Sequence, residues 1–300
     1  MEALTIQQIV EAVHGTLLGE FSSPEPIVTR VETDSRTIHP GSLFIPLVGE
    51  RFDGHAYIDA ALEDGAAGCL TQREREGYQP GKFYIKVENT RQALQDLAVW
   101  YRTQFRVQVV AVTGSVGKTT AKDMIASVLS EKFEVLKTDG NKNNDIGLPM
   151  TLLRLEKKHQ IAVVELGINH PGEMDPLSGI ARPDVVVMTN IGDSHIEAFG
   201  SRENTLLAKL EVFNHAKSGV YAVLNGDDPL LAPLKGRLPG TTVLCGKAAA
   251  GDYRAGELES DWRSQVSCQV KTPYGNGRMD IPALGEHMIY PTLMACAVGE

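Results

Sequence analysis

The stretch VQVVAVTGSVGKTTAKDMIASVL, Val107 to Leu129, begins as an apolar strand-like run, breaks at a glycine loop and continues as an amphipathic helix with a lysine at its mouth. A helix N-terminus already carries partial positive charge and unpaired N–H groups, so Lys118 beside it is unfavourable unless an anion lies between them. The obvious anion is a phosphate. The loop TGSVGKTT, Thr113 to Thr120, follows a strand and opens a helix, which is the context a phosphate-binding loop requires. It departs from a strict GxxxxGK[ST] pattern, with Val112 where the first glycine would stand. An ordinary strand-to-helix turn is the bland alternative, but Gly114, Gly117, Lys118 and Thr119 together suit phosphate and magnesium.

Outward from this loop, apolar strand candidates alternate with helical stretches: VQVVAV, FEVLKT, IAVVELG, DVVVMTNIG and GVYAVLNG. Continuous β-branched runs separated by helices predict a parallel sheet covered on both faces, whose ligands gather at the C-terminal strand ends. Residues from about 250 to 282 read as short strands and turns, and YPTLMACAVGE as a helix. Ahead of the loop, TIQQIVEAV with its Thr5/Gln8 capping-box spacing, GSLFIPLVG, HAYIDAALEDG, AAGCL and KFYIKV read as a small α/β domain. The expected organisation is a first α/β domain over 1–85, a linker helix over 86–106 and a phosphate-loop domain over 107–300.

The 300 residues are 42% hydrophobic and 22% charged, a soluble globular composition. No run of eighteen apolar residues occurs, and the start MEALTIQQIVEAV has neither a basic nor an uninterrupted apolar region, so a cytoplasmic protein without a membrane span is expected. The net charge of -9 argues against nucleic acid or an anionic membrane as partner. It leaves nucleotides open, since one loop, one lysine and magnesium can hold a small polyphosphate. Cys69, Cys245, Cys268 and Cys296 form no CxxC pair and read as scattered reduced thiols.

Several polar residues fall at predicted strand ends. Glu165 closes IAVVELG, where a carboxylate could hold Mg²⁺ beside the loop or simply be solvated. Asn190, Asp193 and His195 crowd the end of TNIGDSH, open to a catalytic or metal role or to packing. Lys209 lies in a predicted helix with Ser201 as N-cap, and by pattern alone reads as solvated. GNKNNDIGLP, Gly140 to Pro149, is poor helix and strand material and reads as a built loop or a surface turn.

TGSVGKTT, ELG after a strand, TNIGDSH and AKLE occur in the order and approximate spacing of the Mur ligase family, ATP-dependent amide-forming enzymes, which the chain resembles over nearly its whole length. The segments TDSRTIHPGSLFIPLVGERFDGHAYIDAALEDGA and GNKNNDIGLP are most similar to those family members that join D-alanyl-D-alanine to UDP-N-acetylmuramoyl-tripeptide. The resemblance implies that ATP phosphates lie on Gly114, Ser115, Val116, Gly117, Lys118, Thr119 and Thr120. It further implies that Thr119 and Glu165 bind a first Mg²⁺ and His195 a second, and that Lys209 is carbamylated into a further magnesium ligand. Lys118, His195, Lys209 and Asn190 would then be catalytic. Ser35 and Arg36, with Asp53, Gly54 and His55, would hold the uridine diphosphate end, and Asn141, Asn143 and Asn144 would lie near the reacting end.

Two departures accompany the resemblance. Family members usually continue for roughly 150 residues, an ordinary domain length, as a third domain. This chain stops at Glu300 and is expected to bind substrates but ligate poorly, as a monomer. Relatives also often carry HNxxN near the adenine, where this sequence has HMIYP, His287 to Pro291. The competing readings are a ligase adding the third amino acid to the dipeptide precursor, a folylpolyglutamate-synthase-like enzyme, and a phosphate-loop switch without ligase activity.

Overall fold

A computed structural model describes residues 1–19, 26–75, 77–247, 251–261 and 265–300. The chain divides into two compact units, Met1–Phe105 with Leu152–Lys157 and Arg106–Thr151 with Lys158–Glu300.

In the first unit the predicted capping box forms. Gln8 N–H donates to Thr5 Oγ1 at 3.2 Å and Thr5 N–H to Gln8 Oε1 at 2.9 Å. Two otherwise orphaned donors are satisfied, and the helix Ile6–Val13 starts there and buries Ile6, Ile9, Ala12 and Val13. A five-stranded sheet runs in the spatial order Thr16–Leu18, Phe83–Lys86, Gly68–Thr71, Ser42–Phe44, Arg30–Glu32. Its first pair is antiparallel and the rest parallel. The run GSLFIPLVG is not one strand: Ser42–Phe44 joins the sheet, while Val48–Gly49 pairs with Phe52–Asp53 in a separate ribbon. Pro46 between them has no N–H to give a ladder. The stretch read as a linker forms the helix Thr90–Thr103, capped by Asn89, with Ala93, Leu94, Leu97, Ala98 and Tyr101 buried. It is grouped with the first unit.

The second unit is built on a nine-stranded sheet. Val135–Lys137, Ile161–Glu165, Gln108–Thr113, Val185–Met188, Tyr221–Asn225, Thr241–Gly246 and Tyr253–Asp261 lie side by side in that order, all parallel. Ile161–Glu165 is buried at every position and Gln108–Thr113 at all but its first, because helices cover both faces. On one face, Ala121, Ile125 and Leu129 of the helix Lys118–Ser130 share a buried cluster with Ile289, Leu293 and Met294 of the helix Ile289–Gly299. The isoleucine, leucine and methionine side chains among them each contribute about 1.5–3 kcal/mol on burial.

The 250–282 segment departs from its reading as short strands and turns. Its described part holds three long strands that extend the main sheet, Gln265–Thr272 adding antiparallel to Tyr253–Asp261 and Gly275–Ile281 antiparallel to Gln265–Thr272. Residues 250 and 262–264 lie outside the described residues. Their polar alternation hid these strands: GNGRMDI has only its last residue buried and carries no apolar run to flag a strand. Cys69, Cys245 and Cys268 are buried free thiols, and burial pushes the Cys69 thiol up to about 12. Among the described residues no helix is long and apolar enough to cross a membrane.

Candidate active site

The strand Gln108–Thr113 has Ile161–Glu165 on one side and Val185–Met188 on the other, and the chain builds outward first one way and then the other. Such a reversal leaves a crevice at the C-terminal strand ends. Gly114, Glu165 and Thr189 follow or close these three neighbouring strands, and the polar motifs of the sequence converge there.

The phosphate loop is held in shape by the end of the neighbouring strand. Thr189 Oγ1 donates to Val116 O at 2.6 Å, and Asn190 Oδ1 accepts from Val116 N–H at 2.9 Å. Ser115 N–H donates to Asn190 O at 3.0 Å, and Ser115 Oγ accepts from Gly192 N–H at 2.9 Å. Gly114 is required here twice over: its φ is 141°, and a Cβ would collide with Thr189 Oγ1. Gly117 caps the following helix at φ 80°. The Val116 amide is thereby committed to Asn190, while Lys118 Nζ folds over the loop and donates to Gly114 O and Ser115 O at 3.1 and 3.2 Å. Thr120, on the next turn, lines a cavity opening from the loop.

Glu165 ends its strand only 2% exposed. Thr119 Oγ1 donates to its Oε2 at 2.9 Å and Asn143 Nδ2 to its Oε1 at 2.8 Å. A buried carboxylate beside a threonine hydroxyl is an all-oxygen donor pair, and its chemistry suits the hard cation Mg²⁺. Asn143 belongs to the built loop GNKNNDIG, whose Asn143 O accepts from Gly167 N–H at 2.9 Å; Asn144 Oδ1 accepts from Gly147 N–H at 2.8 Å and so opens the following turn. Asn141 is exposed.

Lys209 is not solvated. It sits 3% exposed in the helix Arg202–Leu210, whose N-cap Ser201 accepts from Asn204 N–H as the sequence indicated. Burial, and then the positive charge of Lys118, lower its ammonium to about 8. Burial likewise lowers Lys118, with the Glu165 charge acting in the opposite sense. The buried Lys209 and the half-buried Lys118 lie close enough for their charges to oppose one another, which makes a cationic crevice suited to polyanionic phosphate.

His195 follows Ser194, whose Oγ donates to Ser115 O of the phosphate loop at 3.5 Å. Its backbone is left-handed, φ 58°, and it lines a separate cavity of about 380 Å³ with Asn169, His170, Asp193 and Glu197. Among the described residues no cluster of three His, Cys, Asp or Glu side chains is placed to hold a metal ion. Two residues without a sequence signal brace its loop. Asp228 Oδ2 accepts from Ile191 N–H at 2.7 Å, and the Arg202 guanidinium donates to Ile191 O.

In the first unit, Ser35 and Arg36 line a cavity of about 430 Å³ with Asp34, Phe44, Phe52 and Tyr57. Arg36 grips Asp34 through Nε and Nη2 at 2.9 and 2.6 Å, and that guanidinium holds the Asp34 carboxyl at about 2. The Phe52 and Tyr57 rings stack at 5.6 Å and stay half-exposed, a feature that neither ring signals in the sequence. Asp53, Gly54 and His55 form the corner between them. His55 Nδ1 donates to Asp53 Oδ1 at 2.7 Å and its Nε2 accepts from Gln72 N–H at 3.1 Å, so both ring nitrogens are committed. Asp53 is held below the usual carboxylate range by the His55 backbone and ring N–H groups. Gly54 packs against the Leu47 backbone, where a Cβ would meet its N and O at 2.8 Å.

The Mur ligase middle domain matches residues 112–299, and the Mur ligase family catalytic domain matches residues 27–102. The UDP-N-acetylmuramoyl-tripeptide–D-alanyl-D-alanine ligase of Bacillus subtilis (strain 168) is 39% identical over 295 residues, covering 98% of this chain and 63% of that protein. Its counterpart from Escherichia coli (strain K12) is 35% identical over 300 residues, covering 99% of this chain and 65% of the relative. The chain thus spans under two thirds of the length of these curated relatives. A crystal structure of MurF from Acinetobacter baumannii superposes with a TM-score of 0.91 at 34% identity, covering 99% of this chain and 64% of that one. MurF ligase from Thermotoga maritima in complex with ADP gives 0.80 at 30% identity, covering 90% and 62%. With two family domains matched in chain order and the phosphate loop, buried glutamate and buried lysine drawn to one crevice, the chain belongs to the Mur ligase family.

Proposed function

We propose that the chain is the part of an ATP-dependent amide ligase that binds ATP and UDP-N-acetylmuramoyl-tripeptide, in the joining of D-alanyl-D-alanine to that tripeptide. The observation that carries this reading is the pairing of Thr119 with buried Glu165 beside a phosphate loop whose Lys118 charge reaches the buried Lys209. In the reaction a substrate carboxylate oxygen attacks the γ-phosphorus of ATP, the bond to ADP breaks, and an acyl phosphate forms. The amine of the dipeptide then attacks the acyl carbon and expels phosphate, losing a proton.

Two anions approach one another in the first step, so the crevice must neutralise charge before it can orient anything. Lys118 and the amides of Gly117, Lys118 and Thr119 serve the phosphates. Thr119 and Glu165 would hold Mg²⁺, with Lys209 as a further ligand once carbamylated and His195 at a second ion. Magnesium, when bound, screens the phosphate oxygens from the incoming carboxylate. Asn190 fixes the loop through Val116 N–H, and Asn143 orients the Glu165 carboxylate. Asn141 and Asn144 lie on the same loop, towards the peptide end of the substrate. Ser35 and Arg36 hold the uridine diphosphate end, with Asp53, Gly54 and His55 shaping the corner beside them.

Calorimetric titration with UDP-N-acetylmuramoyl-tripeptide, its dipeptide form and UDP tests the reading. Tighter binding of the tripeptide is expected. No binding of any uridine compound would remove the substrate assignment and leave a generic nucleotide-binding module.

A further inference from the structure

The residues Asn190, Ile191 and Gly192 hold the phosphate loop through two successive peptide planes, and each plane is gripped on both edges. Across the plane joining Asn190 to Ile191, Asn190 O accepts from Ser115 N–H at 3.0 Å while Ile191 N–H donates to Asp228 Oδ2 at 2.7 Å. Across the plane joining Ile191 to Gly192, Gly192 N–H donates to Ser115 Oγ at 2.9 Å while Ile191 O accepts from Arg202 Nε at 3.0 Å and from its Nη2. A trans peptide is rigid, with its C=O and N–H on opposite sides, so a plane that tilts loses the partners on both edges together. Asp228 and Arg202 thereby set the position of Ser115 through the peptides between them.

The two clamps differ in what they join. Asp228 is buried, and its Oδ1 accepts from Leu230 and Leu231 N–H at 2.9 and 3.1 Å, so it is fixed within its own turn. Arg202 is the first residue of the helix Arg202–Leu210, whose last turn carries Lys209. A cation at that end opposes the helix dipole. Here the acceptor Ile191 O, with the Asp193 carboxylate at 4.0 Å, offsets the cost. Ile191 is fully buried, and a guanidinium donating to its carbonyl makes a charge-assisted hydrogen bond, stronger than a neutral one. One side chain thus joins the start of the Lys209 helix to the segment that holds the loop.

Loss of that grip has a defined consequence for the loop. Rotation of the peptide between Ile191 and Gly192 takes Gly192 N–H away from Ser115 Oγ. Ser115 then shifts the carbonyl that accepts from Lys118 Nζ at 3.2 Å and from Ser194 Oγ at 3.5 Å. Anion affinity depends on the loop amides and the lysine being in place before the anion arrives, because ordering them on binding subtracts from it. The penalty falls on the phosphates, whatever group they carry.

We infer that Arg202 is a positioning residue for phosphate binding, acting on Ser115 through the peptide between Ile191 and Gly192. The inference rests on the proposal that this loop binds ATP. The test is calorimetric titration of the chain, of Arg202→Met and of Arg202→Lys with ADP and with inorganic pyrophosphate, each with Mg²⁺, and thermal melting of all three. The Arg202 side chain is 41% exposed, so both variants are expected to stay folded during titration. Arg202→Met should weaken ADP and pyrophosphate by the same factor, about tenfold. Arg202→Lys, which keeps one charged donor, should recover part of the loss. Ser115→Ala cuts the Gly192 contact, and in that background the effect of Arg202→Met should shrink. Unchanged binding in Arg202→Met would overturn the inference. So would a loss in Arg202→Lys as large as in Arg202→Met, or strict additivity with Ser115→Ala, either of which would leave Arg202 only a stabiliser of its helix start. If the unaltered chain binds neither ADP nor pyrophosphate, the nucleotide reading itself fails, and the inference with it.

Discussion

Thr119 and Glu165, 46 residues apart in the chain, meet at 2.9 Å through Oγ1 and Oε2 at the ends of the phosphate loop and a buried strand. The carboxylate is almost wholly removed from water, yet its hydrogen-bond partners are a hydroxyl and an amide rather than a cation. A buried carboxylate of that kind is costly unless a positive charge joins it. The relationship makes the pair the natural seat for magnesium and sets the first prediction.

Glu165→Gln keeps the shape and the Thr119 contact while removing the charge. Affinity for ATP with Mg²⁺ should fall by at least about tenfold, equivalent to about 1.4 kcal/mol, and affinity for ADP without Mg²⁺ should change little. Calorimetry with and without the ion reads both, and equal losses in the two conditions would contradict a metal role.

For Lys209 the prediction concerns pH. Its folded-state value, about 8, lies below the ordinary lysine value of 10.5, so between the two the unfolded chain binds more protons and stability rises with pH. Below about 8 the cost of the buried ammonium is fully present. Lys209→Met should therefore stabilise the chain at pH 7 by roughly 2 kcal/mol, with the advantage shrinking as pH rises through 8 towards 10. Urea unfolding of both proteins at pH 7 and 9.5 measures it; a gain independent of pH would show that the charge is not its source.

Gly114→Ala places a methyl group against Thr189 Oγ1 on a backbone at φ 141°. A loss of about 2–4 kcal/mol is expected from strain and the broken Thr189 to Val116 contact. The double variant with Thr189→Ala should lose less than the sum of the two single changes, because the collision partner is gone. Strict additivity in thermal unfolding would locate the cost elsewhere.

His55→Ala tests whether that histidine acts on ligand or on structure. Removing it strands the Gln72 N–H and takes the ring hydrogen bond from the Asp53 carboxylate, so a stability loss of about 1–2 kcal/mol is expected. Arg36→Ala, at an exposed position, should leave melting unchanged and weaken binding of uridine diphosphate compounds. If His55→Ala instead melts normally and loses only ligand, the role drawn from its two hydrogen bonds is wrong.

Features that depend on local chemistry were legible in the sequence by itself. The loop from Thr113 to Thr120 announced itself because glycines at required left-handed positions and a lysine at a helix mouth are meaningful without any knowledge of neighbours. Thr5 with Gln8 and Ser201 with Asn204 were equally legible, since a helix cap is completed within four residues. So was the parallel sheet, because strands buried on both faces need continuous apolar runs.

Tertiary structure decided what depends on distant partners. Lys209 read as a solvated mid-helix lysine from its pattern, and only packing shows it buried beside Lys118, because helical periodicity reports a face and not what covers it. GNGRMDI looked like turns because an edge strand extending a sheet needs no apolar run. His55 gave no sign that both its nitrogens were spoken for, one of them by Gln72 seventeen residues on. Thr189, Asp228 and Arg202 carry no motif of their own; they matter because the fold brings Thr189 to the phosphate loop and Asp228 and Arg202 to Ile191 in the adjoining segment. Spatial convergence of this kind is set by the order of strands, which no local spacing encodes.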